Sequence, residues 1–519
     1  MSNANKVITK QKSNVLGRKR VSDVITRTDI EQWKQGDIIT ISAGCGVGKS
    51  YFVKEILYKY AKEHNYKIIM FIHRKNCVDA FNFELKGDKK DDIITVTSYQ
   101  KLENDKLNDR FEDLNNYHFI VCDEFHYFID DAGFAKCTDI SFDYIMNNTP
   151  DSIKICMSAT GDNIEEYLKL MCDKPTIKYT VPYNYDYIDD ILFYTKNSTL
   201  DDMVDLIIKQ KQKAIVFIQS AKRAYSLHKK YKKNSIFVCA TGNRRYSKYV
   251  DEQKKNDMLA NERFEENILF TTSCFDASIN IVDKSVRYVI VDIKDIASFI
   301  QCVGRRRVDY NDPDDKFVLI IKNISNRQLE YSITKTQKAI EKAEYAKEHT
   351  TEEYISKYFR ESDNIVYFDT CNGVCKACVN ELMLYKNKQN LKLYEAILEK
   401  GKLGYRMHME EIFDLTPQFN KYGERKYKYI YDTAETIFEN KSLITYLNDN
   451  VGEYMPTVES RKELIQKINL RSDGSKLIKT RETLNSYLAN DLKSDFVIRK
   501  ISKKINGKMY RSVWVIDKI

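Results

Sequence analysis

Up to residue 321, short runs of consecutive apolar, mostly β-branched residues alternate with longer stretches in which apolar positions recur every three or four residues. The runs fall at 38–41, 67–72, 93–96, 119–122 and 153–157, and again at 191–194, 214–218, 235–239, 267–271, 286–291 and 317–321. Unbroken apolar strands separated by helical stretches predict parallel sheets covered by helices on both faces, and the two sets predict two α/β domains in tandem. Such sheets place ligands at the carboxyl ends of their strands, so a cleft between the two sets is where chemistry is expected. After residue 323 the pattern changes to long polar helices, over 327–348 and 377–403 among others. The tail reads as a helix at 460–468, a turn at 471–474, and a second helix at 480–489 that Thr480 caps with Glu482 in its first turn. A hairpin follows, with apolar 496–498, a turn at Asn506-Gly507 and the alternating Tyr510, Val513 and Val515.

The resulting organisation is a flexible basic arm (1–29), two α/β domains (30–185 and 186–325), a helical accessory region (326–455) and a small α+β module (456–519). A length of 519 residues accommodates these parts, and 43% hydrophobic with 31% charged residues is a globular composition. No apolar run is long enough to span a membrane, and Met1 to Arg20 lacks the apolar middle of a signal peptide. A cytoplasmic protein, of a cell or of a virus or phage acting in its host, is therefore expected, with no membrane partner. The 12 cysteines are scattered, several inside strand-like runs, which suits reduced thiols. Cys371, Cys375 and Cys378 have spacings that suit a metal but offer only three ligands. The net charge of +9 lies wholly in 461–519, where 15 Lys/Arg face 6 Asp/Glu, a balance that points to a polyanion. The tail pattern suits a winged helix-turn-helix or a small protein-docking module.

Two motifs carry the chemistry. Ala43-Gly44-Cys45-Gly46-Val47-Gly48-Lys49-Ser50 lies between an apolar strand and a helix, the setting a P-loop requires. Gly44, Gly46 and Gly48 let backbone N–H groups turn toward phosphates, Lys49 neutralises them, and the Ser50 hydroxyl is a ligand for Mg²⁺. Asp123-Glu124-Phe125-His126 follows the apolar run 119–122. At a strand tip Asp123 is placed to hold Mg²⁺, and Glu124 to orient and deprotonate an attacking water.

In this order the motifs resemble those of the superfamily 2 helicases with a DExH box, and the resemblance continues through the motor. Ser158-Ala159-Thr160 resembles the family's coupling motif, and with His126 it implies a link between ATP state and nucleic-acid grip. Phe270-Thr271-Thr272-Ser273 with Asp276 and Asn280 resembles the fifth motif, although Ser278 stands where the family usually has Gly. Gln301-Cys302-Val303-Gly304-Arg305-Arg306-Arg307 resembles the sixth, with Val308 where a further Arg is frequent; this leaves the finger role to Arg305 or Arg307. The resemblance implies two tandem RecA-like P-loop domains with ATP and Mg²⁺ between them. Lys49, Glu124, Gln301, Arg305 and Arg307 would be catalytic. Arg74, Thr97, Ser98, Tyr99, Gln219, Thr271 and Thr272 would contact a nucleic-acid strand, DNA in preference to RNA, and protein partners would dock through 326–455. The function implied is an ATP-dependent helicase or translocase. The alternatives are an ATP-gated binding switch and a motor subunit of a larger replication or restriction assembly.

Overall fold

In a computed structural model of the chain, the described residues are 19–519 without 45, 74, 109, 111–112, 131–137, 173, 183, 241, 274–279, 360–364, 372–373, 414–417, 420–422, 424, 432 and 471–476. They form two compact units, Met1–Ile191 with Lys213–Ile430, and Leu192–Gln212 with Tyr431–Ile519.

The first unit contains the two expected sheets. Strands β1 (Ile38–Ser42), β2 (Ile68–Ile72), β3 (Ile94–Ser98), β4 (Phe119–Cys122), β5 (Ile153–Ser158) and β6 (Thr176–Thr180) lie in the order β3-β2-β4-β5-β1-β6. All their pairings are parallel, with Ser42 opposite Ser158 and Phe71 opposite Cys122. Every residue of β2, β4 and β5 is buried, as a sheet with helices on both faces requires. Strand β6 was not legible as a run because its side chains are mostly exposed or half-buried, so nothing selects for apolar residues there. After β1 a helix begins at Lys49–Tyr51, widens into a π-helical stretch at Phe52–Leu57 and closes at Tyr58–Glu63 (α1). After β3 comes α2 (Tyr99–Leu107).

The second sheet is built from β7 (Ile188–Tyr194), β8 (Lys213–Ile218), β9 (Ser235–Val238), β10 (Ile268–Thr271), β11 (Val286–Asp292) and β12 (Phe317–Lys322), in the order β7-β12-β11-β8-β10-β9. Helix α3 (Asn197–Lys209) follows β7, and α4 (Ile296–Val303) follows β11.

Two expectations are corrected in this unit. Residues 19–29, read as part of a flexible arm, are packed: Val21 donates its backbone N–H to Val47 O at 3.0 Å, and Val21 and Ile25 are buried in the core beside Val47 and Phe52. The accessory region is not all helical. Between α5 (Asn326–Glu348) and α6 (Glu381–Glu399) lies an antiparallel pair, β13 (Val366–Cys371) with β14 (Val374–Val379). The helix expected from 377 therefore starts at Glu381. Asn380 is the cause, its side chain accepting the Met383 N–H at 3.0 Å as an N-cap, while the residues before it pair as a strand. After α7 (Gly404–Phe413) come the two-residue strands β15 (Gln418–Phe419) and β16 (Arg425–Lys426). Part of this region packs on the first sheet: Leu382 and Tyr385 of α6 belong to the core on one of its faces.

In the second unit α3 packs with α8 (Ala434–Asp449). The chain then runs through β17 (Tyr454–Met455), α9 (Lys462–Ile468), α10 (Arg481–Ser486, continued by a π-helical turn at Tyr487–Asp491), β18 (Phe496–Ile505) and β19 (Lys508–Lys518). The antiparallel order is β17-β19-β18, and Leu447, Leu464, Leu484, Leu488, Ile498 and Ile516 meet in one core. Thr480 precedes α10 without a side-chain cap bond, and the turn expected at 471–474 lies outside the described residues. No helix among the described residues is long and apolar enough to cross a membrane.

Candidate nucleotide site

The parallel register brings the motif loops to one edge of the first sheet. Strand β5 lies between β1 and β4, so Ser158 leaves the sheet between the loop after Ser42 and the turn after Cys122. In the first of these, Gly46 has φ 73° and Gly48 φ 87°, left-handed values that favour glycine and turn the backbone inward. Lys49 is buried inside the loop, its ammonium donating to Ala43 O at 3.0 Å and Gly44 O at 3.3 Å, while Ser50 is exposed at the helix start. Cys45 lies outside the described residues.

Asp123 is tied to β2 by its N–H, which donates to Phe71 O at 3.0 Å. Glu124 has φ 49°, an uncommon value for a residue with a Cβ, of the kind that collects at functional sites. Burial, with Glu124 adjacent, pushes the Asp123 carboxyl up to about 7, against the pull of Lys49. Burial raises Glu124 as well, but the positive neighbours Lys49, His126, Arg305 and His73 outweigh it and hold this carboxyl below its ordinary value. Asp123 Oδ1 and Glu124 Oε2 are both buried without a hydrogen-bond partner, and hard oxygens of this kind, with the Ser50 hydroxyl, fit Mg²⁺.

His126 joins the motifs. Its Nδ1 lies 2.9 Å from Ser158 Oγ and 3.4 Å from Glu124 Oε2, and its Nε2 lies 2.5 Å from Gln301 Nε2. With the Gln301 amide donating, the imidazole carries its proton on Nδ1 and donates to Ser158, which also accepts the Thr160 N–H at 2.9 Å. Gly161 permits this turn, because a Cβ there would stand 2.9 Å from Ser158 Cβ.

The three arginines after α4 separate by environment. Arg306 is 2% exposed and ion-paired with the buried Asp315, which makes it structural. Arg305 contributes to the field on Glu124. Arg307 Nε donates to Asn280 Oδ1 at 2.9 Å, and Arg307 lines a cavity of about 1160 Å³ that Gly44, Gly46 and Val47 also line. The sequence pattern did not single out Arg20, Asn184, Tyr185 and Tyr187, which line the same cavity. The tyrosine-rich run at 183–187 between the two strand sets was the available signal.

The expected nucleic-acid contacts fare differently. Tyr99 is fully buried, stacks on Tyr127 with ring centroids 4.7 Å apart, and donates its hydroxyl to Asp123 O at 2.9 Å, so it braces the acidic turn. Thr97, Thr271 and Thr272 are buried too. Ser98 caps α2 by accepting the Lys101 N–H at 3.1 Å, and Gln219 is exposed. Arg74 and Asp276 lie outside the described residues, and among those described no three or more His, Cys, Asp or Glu side chains cluster as a metal site would require.

Residues 14–163 match the family model described as type III restriction enzyme, res subunit, a segment that contains both the P-loop and the Asp123-Glu124 turn. Among solved structures, that of S. cerevisiae Dbp5 bound to RNA and ADP BeF3 is similar at 16% identity and a TM-score of 0.41, covering 55% of this chain and 79% of that one. The DEAD-box helicase Mss116 bound to ssRNA and UDP-BeF is similar at 14% identity and a TM-score of 0.42, covering 59% and 69%. Among curated proteins no match was found.

Proposed function

We propose that this chain is a superfamily 2 motor that hydrolyses ATP between its two parallel sheets and uses the cycle to move along or unwind nucleic acid, DNA before RNA, a reading that the family match of its P-loop segment supports. The single observation that carries the reading is the His126 bridge, which hydrogen-bonds the turn at Ser158 to Gln301 of the second half and sets its imidazole beside Glu124, the residue read as activating water. Glu124, held ionised, accepts the proton of the attacking water, and Lys49 and an arginine stabilise the charge that develops on the phosphoryl oxygens. Asp123 and Ser50 would hold Mg²⁺, which supplies further neutralisation of phosphate charge when bound. The choice of DNA rests on the restriction-subunit family that the segment matches.

The test is ATP hydrolysis and strand displacement by Lys49→Ala and Glu124→Gln. Each is expected to lose on the order of 10² or more in turnover, the scale of removing one preorganised electrostatic group. Near-normal hydrolysis in both would overturn the motor reading. Intact hydrolysis by the unsubstituted chain, stimulated by nucleic acid but without displacement, would replace the helicase with an ATP-gated clamp.

A further inference from the structure

The nucleotide site leaves the positive tail unused, and the second unit shows what the tail builds. Its elements run helix, strand, helix, helix, strand, strand (α8, β17, α9, α10, β18, β19), with β17 paired to β19 and β19 to β18. This is the connectivity of a winged helix, in which α9 and α10 are the helix-turn-helix and the β18–β19 hairpin is the wing. Asn485 locks α10 to the hairpin, its Oδ1 accepting the Ile498 N–H at 2.8 Å and its Nδ2 donating to Ile498 O at 3.0 Å. The turn at Asn506 (φ 48°) and Gly507 (φ 81°) joins Ile505 and Lys508 directly, so the wing is a rigid two-residue hairpin.

The charge is sorted between structure and surface. Arg461 is consumed internally, its guanidinium stacked 4.7 Å from the Trp514 ring and donating to Met455 O and Ser512 O. Arg499 pairs with Asp517 at 3.3 Å. Lys500, Lys504, Lys508 and Arg511 remain exposed on the wing and, among the described residues, make no ion pair; no acidic residue occurs from Phe496 to Ile516. The exposed residues of α10 and its continuation include the small polar Thr483, Ser486 and Asn490, of a size that enters a groove about 12 Å wide, with the acidic Glu482 and Asp491 at the two ends.

We propose that this winged helix binds double-stranded nucleic acid, with α10 at the groove and the wing lysines and Arg511 on the phosphates. The inference stands apart from the ATPase reading, since no residue of the nucleotide site enters it. It favours a duplex because the tip of the wing presents cations rather than exposed rings on which unpaired bases would stack.

The test uses the full chain with Lys504→Ala, Lys508→Ala and Arg511→Ala together, and a charge-preserving partner with Lys504→Arg, Lys508→Arg and Arg511→Lys. Binding to one duplex and one single strand is measured by fluorescence anisotropy over a range of salt, without nucleotide. The alanine variant should weaken duplex binding and flatten its log–log salt slope by about 0.9 for each phosphate that is no longer neutralised, so by up to about 2.7, with little change on the single strand. The charge-preserving variant should keep the original slope, and basal ATPase should be unchanged in both. An unchanged duplex slope in the alanine variant, or equal weakening on duplex and single strand, would overturn the proposal.

Discussion

At the scale of single residues, three consecutive arginines do three different things. Arg306 is folded into the protein with Asp315, so its removal would leave a buried carboxylate unpaired, at a cost on the order of 3–5 kcal/mol. Of the other two, Arg305 acts electrostatically on Glu124, and Arg307 is held by Asn280 and lines the cavity of the candidate site. Arg305→Ala and Arg307→Ala are therefore expected to keep their melting temperature and ATP binding while losing turnover, one more severely than the other. Steady-state ATPase beside nucleotide titration separates these effects. Unchanged turnover in both would remove them from the charge clamp. The residues also show where reading by motif ends: Tyr99 sits within a motif-like segment, yet its ring is spent on Phe71 and Tyr127 and its hydroxyl on the backbone of Asp123.

At the scale of elements, the strand tips and the turns after them carry the function, and glycine decides how tightly one of those turns closes. Gly161 has an ordinary φ, so alanine there would not strain the backbone, but its Cβ would press on Ser158 Cβ at 2.9 Å, a point that is no flexible side-chain end. The expected result of Gly161→Ala is a shifted Ser158, a weakened hydrogen bond to His126 and turnover reduced about tenfold, roughly 1.4 kcal/mol in the barrier, with nucleotide binding retained. Wild-type turnover in this variant would show that the turn does not transmit between the motifs. The π-helical stretch of α1 directly after the P-loop is another irregular element of a kind frequent at functional sites.

At the scale of the whole molecule, accessory helix α6 touches both sheets' layers within the first unit. Tyr385 donates to Glu166 Oε2 at 3.0 Å on the side of the first sheet. One residue on, Lys386 reaches Asp295 at 3.5 Å, and Asp295 is the N-cap of α4, the helix that carries Gln301. Burial raises the Asp295 carboxyl, but Lys386 and the Ser298 N–H outweigh it and hold it below its usual range, so this interaction stabilises the fold above the ordinary carboxylate range and is lost as pH falls through the lowered value. Lys386→Met should lower stability near neutral pH by about 1–3 kcal/mol, less than a fully buried pair because Asp295 keeps an accessible edge. The double variant with Asp295→Asn should recover part of the loss. Thermal unfolding of the two single variants and the double variant, at neutral and acid pH, measures the coupling; additive losses would mean that α6 does not hold α4 through this pair.

The sequence by itself determined the two parallel sheets, nearly strand by strand, because fully buried strands must be continuous apolar runs, and it determined the P-loop, the acidic turn and the hairpin at Asn506-Gly507, because phosphate chemistry and a two-residue turn each demand particular residues at particular spacings. It could not show β6, whose exposed surface leaves no pattern, or that the helix predicted from 377 begins only at the Asn380 cap. Only the tertiary structure decided which arginine is structural, that Tyr99 is core, that Arg20 and Tyr187 line one cavity with the P-loop, and that His126, Ser158 and Gln301 form one chain. Those facts depend on residues far apart in sequence meeting at the strand ends, and local periodicity carries no information about such meetings.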